Sequence, residues 1–293
     1  MRYIAWSGGY DSTYAVITAV LEGHEVQPWY IFEHGKEDHL SMSSPERHLI
    51  EKDRLQLEQL KIIREKFKDK IKEPRIFYPE DLQQDSLKVR KTLDYHDAKR
   101  VYESIQNDEL FIEPLSAKVD AKKNLCWSVE YSNGDKIETY DAEKYTEFFS
   151  PLFHSDHWIN FIYDPLLSVA IKENVEIEIG TENGTRRGNV MKKYLGIDEN
   201  GKIIQNEKYP ELKILEHIRY PIIWTTKKES VEKLKEIDIN LLKFIMDNTV
   251  SCSNTDKYMR NKNYCGNCYN CKSMRNTGAY NYANLTSLYE KTS

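Results

Sequence analysis

Residues 2–32 constrain the fold more than any other stretch. A short apolar run, Arg2 to Trp6, meets Ser7-Gly8-Gly9 and passes directly into a helical pattern from Asp11 to Leu21. Tyr14, Ala15, Ile17, Thr18 and Leu21 supply the stripe, and Gly23 ends it. Glu25 to Phe32 then reads as a second strand. Strand, glycine turn, helix, strand is the opening of a parallel α/β sheet, because only a crossover helix returns the chain to a parallel neighbour. The turn also carries chemistry. Two adjacent glycines let backbone approach an anion with no Cβ in the way. The helix start offers free N–H groups and the positive end of a dipole. Ser7, Ser12 and Thr13 add hydroxyl donors, and Asp11 is placed to cap the helix or help hold a magnesium ion.

The alternation continues downstream. Leu49, Leu57, Leu60, Ile63 and Phe67 space a charged crossover helix over Pro45 to about Lys70, whose charges read as a solvated face. Arg75 to Tyr78 is a third strand. Val175 to Gly180, where Val and Ile alternate with Glu, is a fourth. Between them, His157 to about Lys172 is helical, with Pro165 expected to kink it. The loop from Thr181 to Gly188 follows the fourth strand at its C-terminal end, where open α/β sheets bind ligands. Lys228 to Ile237 and Asn240 to Asp247 read as two further helices. One stretch breaks the pattern: alternating segments flank Ser132-Asn133-Gly134-Asp135, a hairpin turn, and mark an insertion near 124–141. A cover for the site, a partner contact and a plain surface hairpin all fit it.

Four of the five cysteines lie within twenty residues, as Cys252-x12-Cys265-x2-Cys268-x2-Cys271, while Cys126 stands apart. Tight clustering in an odd total argues for a metal site in a reducing compartment over a secreted disulfide framework. Four thiolates complete a tetrahedral zinc ion and leave no open position, so the reading is structural zinc; a cysteine-held iron–sulfur cluster is the alternative. No apolar run reaches the length of a membrane span, and Met1-Arg2 leads straight into a strand without a signal-peptide pattern. The expected location is therefore cytoplasmic. A formal net charge of -5 gives no global attraction to nucleic acid, though it leaves room for a local basic groove.

No Lys follows the glycines, so the loop is not that of P-loop kinases and GTPases. It resembles the Ser-Gly-Gly-x-Asp-Ser motif of the PP-loop ATP pyrophosphatases, matched at Ser7, Gly8, Gly9, Asp11 and Ser12. With the C-terminal cysteines, the chain is similar to the 7-cyano-7-deazaguanine synthases of queuosine biosynthesis, as a divergent member. Tyr220 to Glu229 adds a third likeness, to the family's Thr-Pro-Leu-x3-Thr-Lys-x-Glu segment, at Pro221, Thr226, Lys227 and Glu229. Thr249-Val250-Ser251-Cys252 resembles the family's approach to its zinc site.

The resemblance implies an α/β, Rossmann-type PP-loop fold of the adenine nucleotide alpha hydrolase kind. It implies an ATP-binding domain over 1–225 and a C-terminal helical zinc-binding module over 226–293 packed on it. ATP would lie on residues 7–13, Tyr10 among them, with magnesium. Asp11, Ser12 and Lys227 would carry the catalysis, with Lys227 as the cation facing phosphate. Zinc would sit on Cys252, Cys265, Cys268 and Cys271. The implied activity is that of an AMP-forming carbon–nitrogen ligase: a deazapurine carboxylate is adenylated, and ammonia or an amine then displaces AMP. Relatives are commonly homodimers.

Two segments depart from the family. Phe153 to Asn160 replaces its Pro-x-Arg-Asn type segment, and Thr181 to Arg187 replaces its Asp-Tyr-Ser loop. Asp156, His157, Glu182 and Arg186 are candidates for a replacement substrate site, with Arg for an anion and Glu for a base edge or magnesium. Ordinary polar loop clusters fit the same residues. Three further classes stay in view: a tRNA-modifying thiolase of the PP-loop type, a relative that transfers a deazaguanine to a macromolecule in a defence or phage system, and a non-catalytic ATP-binding module.

Overall fold

The computed structural model describes residues 1–32, 44–78, 81–82, 117–120, 126–130, 136–139, 163–184, 197–204, 215–251 and 268–282. Its central element is a five-stranded, wholly parallel sheet. The strands are β1 (Arg2–Ala5), β2 (Val26–Ile31), β3 (Arg75–Phe77), β7 (Ile177–Ile179) and β8 (Ile218–Arg219), in the order β3-β2-β1-β7-β8. Register is set by pairs such as Ala5 with Trp29 on one side of β1 and with Ile179 on the other. β4 (Ala117–Asp120), β5 (Cys126–Glu130) and β6 (Lys136–Thr139) form a separate antiparallel sheet. β5 and β6 pair antiparallel, as the two alternating segments predict, with one more strand than expected, and the turn at 132–135 lies outside the described residues.

Helix α1 (Tyr10–Leu21) links β1 to β2, and α2 (Ser44–Lys66) lies between β2 and β3. Helix α3 (Tyr163–Glu173) precedes β7. Pro165 stands in its first turn, where a missing N–H costs nothing, so it starts the helix and does not kink it. The C-terminal part contributes α4 (Lys227–Ile237), α5 (Ile239–Asp247) and α6 (Tyr269–Asn276), followed by a 3-10 turn over Ala279–Tyr282. Among the described residues no helix is long and apolar enough to cross a membrane.

Period-two alternation sends successive side chains to opposite faces of the sheet, and each face has its own core. Ile4, Val26 and Tyr30 join α1, Leu60 and Ile63 of α2, and Val231, Leu242, Ile245, Cys271 and Met274 of the C-terminal helices. Ala5, Trp29, Ile31, Ile177 and Ile179 meet Leu166, Leu167 and Ala170 of α3 on the other face. The C-terminal helices therefore share one hydrophobic cluster with the phosphate-loop helix. Glu178, 2% exposed, is buried within β7, and Arg2 of β1 neutralises it through paired 2.6 Å contacts.

The chain winds outward from β1 to β3 and then returns to place β7 on the other side of β1. Strand order reverses at that seam, and in open α/β sheets the C-terminal ends of the strands at such a switch point are where ligands bind.

Candidate active site

The loop after β1 and the loop after β7 face each other across this seam. Gly8 has a φ of +71°, a left-handed conformation open to glycine at little cost, and Gly9 is the N-cap of α1. A glycine N-cap has no side chain to satisfy the first helical amides. One is satisfied from 241 residues away: Tyr10 N–H donates to Ser251 Oγ at 3.0 Å. Thr13 N–H bonds Gly9 O at 3.1 Å. The N–H groups of Gly8, Gly9, Asp11 and Ser12 meet no acceptor among the described residues. Four unspent donors at a helix start are an arrangement that can receive an anion.

The hydroxyls divide into two kinds. Ser12 Oγ lies 3.1 Å from Ser7 Oγ, accepts the Ser7 N–H at 3.1 Å and donates to Gly9 O at 3.2 Å, closing the loop on itself. Thr13 faces the core, where its Oγ1 accepts the Trp6 indole N–H at 2.9 Å. Tyr10 is buried too; its hydroxyl contacts Ser230 Oγ at 3.2 Å, and burial raises its pKa.

Across the seam, Asn183 N–H bonds Thr225 O at 2.9 Å and residue 183 bridges residue 226. This short pairing brings Glu182 beside Lys227. Lys227 is the first residue of α4, where the helix dipole disfavours a cation, so local propensity does not account for it. A full capping box anchors it instead: Thr226 Oγ1 accepts the Glu229 N–H at 3.2 Å, and Glu229 Oε2 accepts the Thr226 N–H at 2.7 Å. Lys227 Nζ reaches Asp11 Oδ1 at 2.6 Å and Glu182 Oε1 at 3.3 Å, over the Tyr10 ring.

Lys227 and Glu182 are 7% and 6% exposed, so neither charge is solvated freely. Burial pushes the Lys227 ammonium down, but the two carboxylates outweigh it and the pKa rises. For Glu182, burial and the Asp11 charge outweigh the pull of Lys227 and lift the carboxyl to about 8. At neutral pH the group thus holds Lys227 positive and Glu182 largely protonated, beside the unspent N–H donors of the loop.

Gly180, between β7 and this loop, completes the geometry. A Cβ there would stand 2.8 Å from Ser12 Cα and 2.9 Å from the Asp11 carbonyl carbon, both backbone that cannot yield. The absence of a side chain lets β7 close on the start of α1.

At the cysteine segment, Cys268 is the N-cap of α6 and its Sγ accepts the Cys271 N–H at 3.4 Å. These two residues fit zinc ligation. Cys252 and Cys265 lie outside the described residues, and among those described no group of three or more His, Cys, Asp or Glu gathers. Asp156, His157 and Arg186 also fall outside, so of the four substrate candidates the structure places Glu182, and places it on Lys227.

Three site residues escaped the sequence: Gln56, Gly180 and Ser251. Gln56 had a readable signal. Asp53 and Gln56 precede Leu60 and Ile63 by seven residues each, two helical turns, so both polar side chains fall on the apolar stripe. They are fully or almost fully buried, and the solvated-face reading of this helix holds for its other sides.

Residues 207–283 match the family model of the queuosine biosynthesis protein QueC. The matched part holds Lys227, Val250 and Ser251, and these touch Asp11, Gly8 and Tyr10 outside it. No curated protein matches the chain. The match supports the QueC family, with the partial span of a divergent member, and an ATP-using enzyme of the PP-loop kind in queuosine biosynthesis.

Proposed function

We propose, with the QueC match as premise, that the chain is an AMP-forming ligase of the 7-cyano-7-deazaguanine synthase type. Its substrate is the carboxylate of 7-carboxy-7-deazaguanine or a close relative. The observation that carries this reading is the Asp11–Lys227–Glu182 group facing four unspent N–H donors across the switch point.

In the first step a carboxylate oxygen attacks the α-phosphorus of ATP. The bond from α-phosphorus to the bridging oxygen breaks, and pyrophosphate leaves with the pair. The cradle of residues 8–12 receives the departing phosphates, and Lys227 offsets charge on the α-phosphoryl oxygens. Asp11, released from Lys227 as phosphate takes its place, is the residue for magnesium, which neutralises phosphate charge when bound. In the second step ammonia or an amine attacks the acyl carbon, AMP leaves, and the nitrogen sheds a proton. For ammonia the amide oxygen then attacks the α-phosphorus of a second ATP and pyrophosphate leaves; loss of AMP with that oxygen, and of two protons from nitrogen, gives the nitrile. Cys252, Cys265, Cys268 and Cys271 would hold a structural zinc, whose four thiolate ligands would leave it no open position for the chemistry.

The test incubates purified protein with magnesium, ATP, 7-carboxy-7-deazaguanine and ammonium, and follows AMP and product by chromatography and mass spectrometry. AMP with amide or nitrile is the expected result, and Lys227→Met should reduce it on the order of a hundredfold. Wild-type protein that binds magnesium–ATP yet forms no AMP with this carboxylate would sink the assignment.

A further inference from the structure

The phosphate loop is gripped from behind by a polar chain buried among the apolar residues of the core. Gln56 of α2 donates from Nε2 to the Ser7 carbonyl at 2.7 Å. Its Oε1 lies 2.9 Å from the Tyr30 hydroxyl, which also bonds Asp53 Oδ1. Asp53 and Gln56 are 0% and 2% exposed, and Tyr30 is 2% exposed. The aliphatic part of Gln56 lies directly against Gly8: a Cβ at Gly8 would be 2.4 Å from Gln56 Cγ. Burying an amide, a phenol and a carboxyl in one core is costly unless they are mutually satisfied, and apolar residues would fill the space more cheaply. The arrangement needs a further reason.

The peptide plane supplies one. The Ser7 carbonyl and the Gly8 N–H belong to one planar unit and point in opposite directions. A donor fixed on Ser7 O therefore aims Gly8 N–H away from α2. The next unit repeats the device from another element: Val250 N–H holds Gly8 O at 2.8 Å, which aims Gly9 N–H away from Val250. Both amides are among those with no acceptor in the described residues.

We propose that Gln56, itself oriented by Tyr30 and Asp53, is a positioning residue that aims the Gly8 amide at the departing pyrophosphate. The side-chain amide is held in one sense because Ser7 O only accepts, so Nε2 faces the loop and Oε1 faces Tyr30. Without that grip the flexible Gly8-Gly9 pair can rotate its peptide units, and an N–H turned aside no longer meets phosphate. The proposal rests on the phosphate-loop reading above and adds which residue fixes the direction of its donors.

Titration calorimetry on the full chain separates the two. Pyrophosphate with magnesium probes the loop, and adenosine probes the rest of the nucleotide site. Gln56→Met keeps the volume and removes the donor. It should weaken pyrophosphate binding about tenfold and leave adenosine affinity within about twofold. Tyr30→Phe, which keeps Gln56 but frees its amide, should move pyrophosphate affinity the same way by a smaller factor, and it carries the test alone if Gln56→Met does not fold. Pyrophosphate affinity unchanged in both variants overturns the proposal, as does a parallel loss of adenosine binding, the mark of a merely structural role. Wild-type protein that binds adenosine and no pyrophosphate would overturn the phosphate-loop reading itself, and this proposal with it.

Discussion

Glu182 carries a buried proton on which the stability of the fold depends. Its ordinary pKa of 4.5 rises to about 8 in the fold, so between those values the folded chain binds a proton that the unfolded chain releases. Where the native state binds more protons, stability falls as pH rises. The Glu182 contribution is therefore fully present below about pH 4.5 and is lost as pH climbs through about 8. Lys227, with its pKa raised above 10.5, loses its own contribution only at still higher pH and does not mask the effect. Glu182→Gln should flatten this part of the profile. Urea midpoints of wild type and variant across pH 5 to 9 measure it, and parallel curves would refute the assignment. Asp11 and Lys227 were legible because motif resemblance names them. Glu182 was legible as a polar residue after a strand but not as a partner of Lys227. Ser251 was not, since its bond to Tyr10 spans 241 residues and leaves no local pattern.

Among the elements, strands and helices followed hydrophobic periodicity closely: β1, β2, β3, β7, α1, α2, α4 and α5 each fall within a few residues of their expected bounds. β8 did not announce itself, because two residues are too few to show a period. The start of α6 was hidden for another reason: its N-cap is a cysteine, whose evident metal chemistry obscured its helical role. Contact between elements is harder still to read. The approach of β7 to α1 depends on Gly180, and strand patterning says nothing about what lies behind a glycine. Gly180→Ala would force Ser12 and Asp11 away from the sheet. A cost of about 1–3 kcal/mol is expected, as for overpacked cores, together with weaker magnesium–ATP binding because the loop moves with α1. Denaturant unfolding and calorimetry report the two effects. An alanine variant with unchanged affinity would show that the loop tolerates displacement of its helix.

For the whole molecule, residues 7–13 and residues 226–251, far apart in sequence, build one site. Val250 and Ser251, which hold Gly8 and Tyr10, immediately precede Cys252. Zinc bound at the cysteine cluster would limit the freedom of this strap at its far end. Removing the metal with a strong chelator is expected to lower Tm and to weaken magnesium–ATP binding several-fold, both restored by added zinc. Metal analysis before and after treatment checks that zinc is what left. A chelated, metal-free chain that binds ATP as well as the starting protein would show that the strap holds without it. The overall architecture was legible because alternating strands and helices admit few topologies. The strap was not, because it is two hydrogen bonds from a coil segment to a turn.

That same strap bears on how the protein is made. The loop, its helix and the first three strands leave the ribosome before the residues that hold the loop, since Lys227 and Ser251 follow Asp11 and Tyr10 by 216 and 241 residues. A nascent chain therefore carries the nucleotide motif long before it can hold the motif in shape. On the proposed reading, competence for ATP arrives only once Ser251 has been made, 241 residues after Tyr10, and a product truncated before Lys227 would carry the motif and be inert.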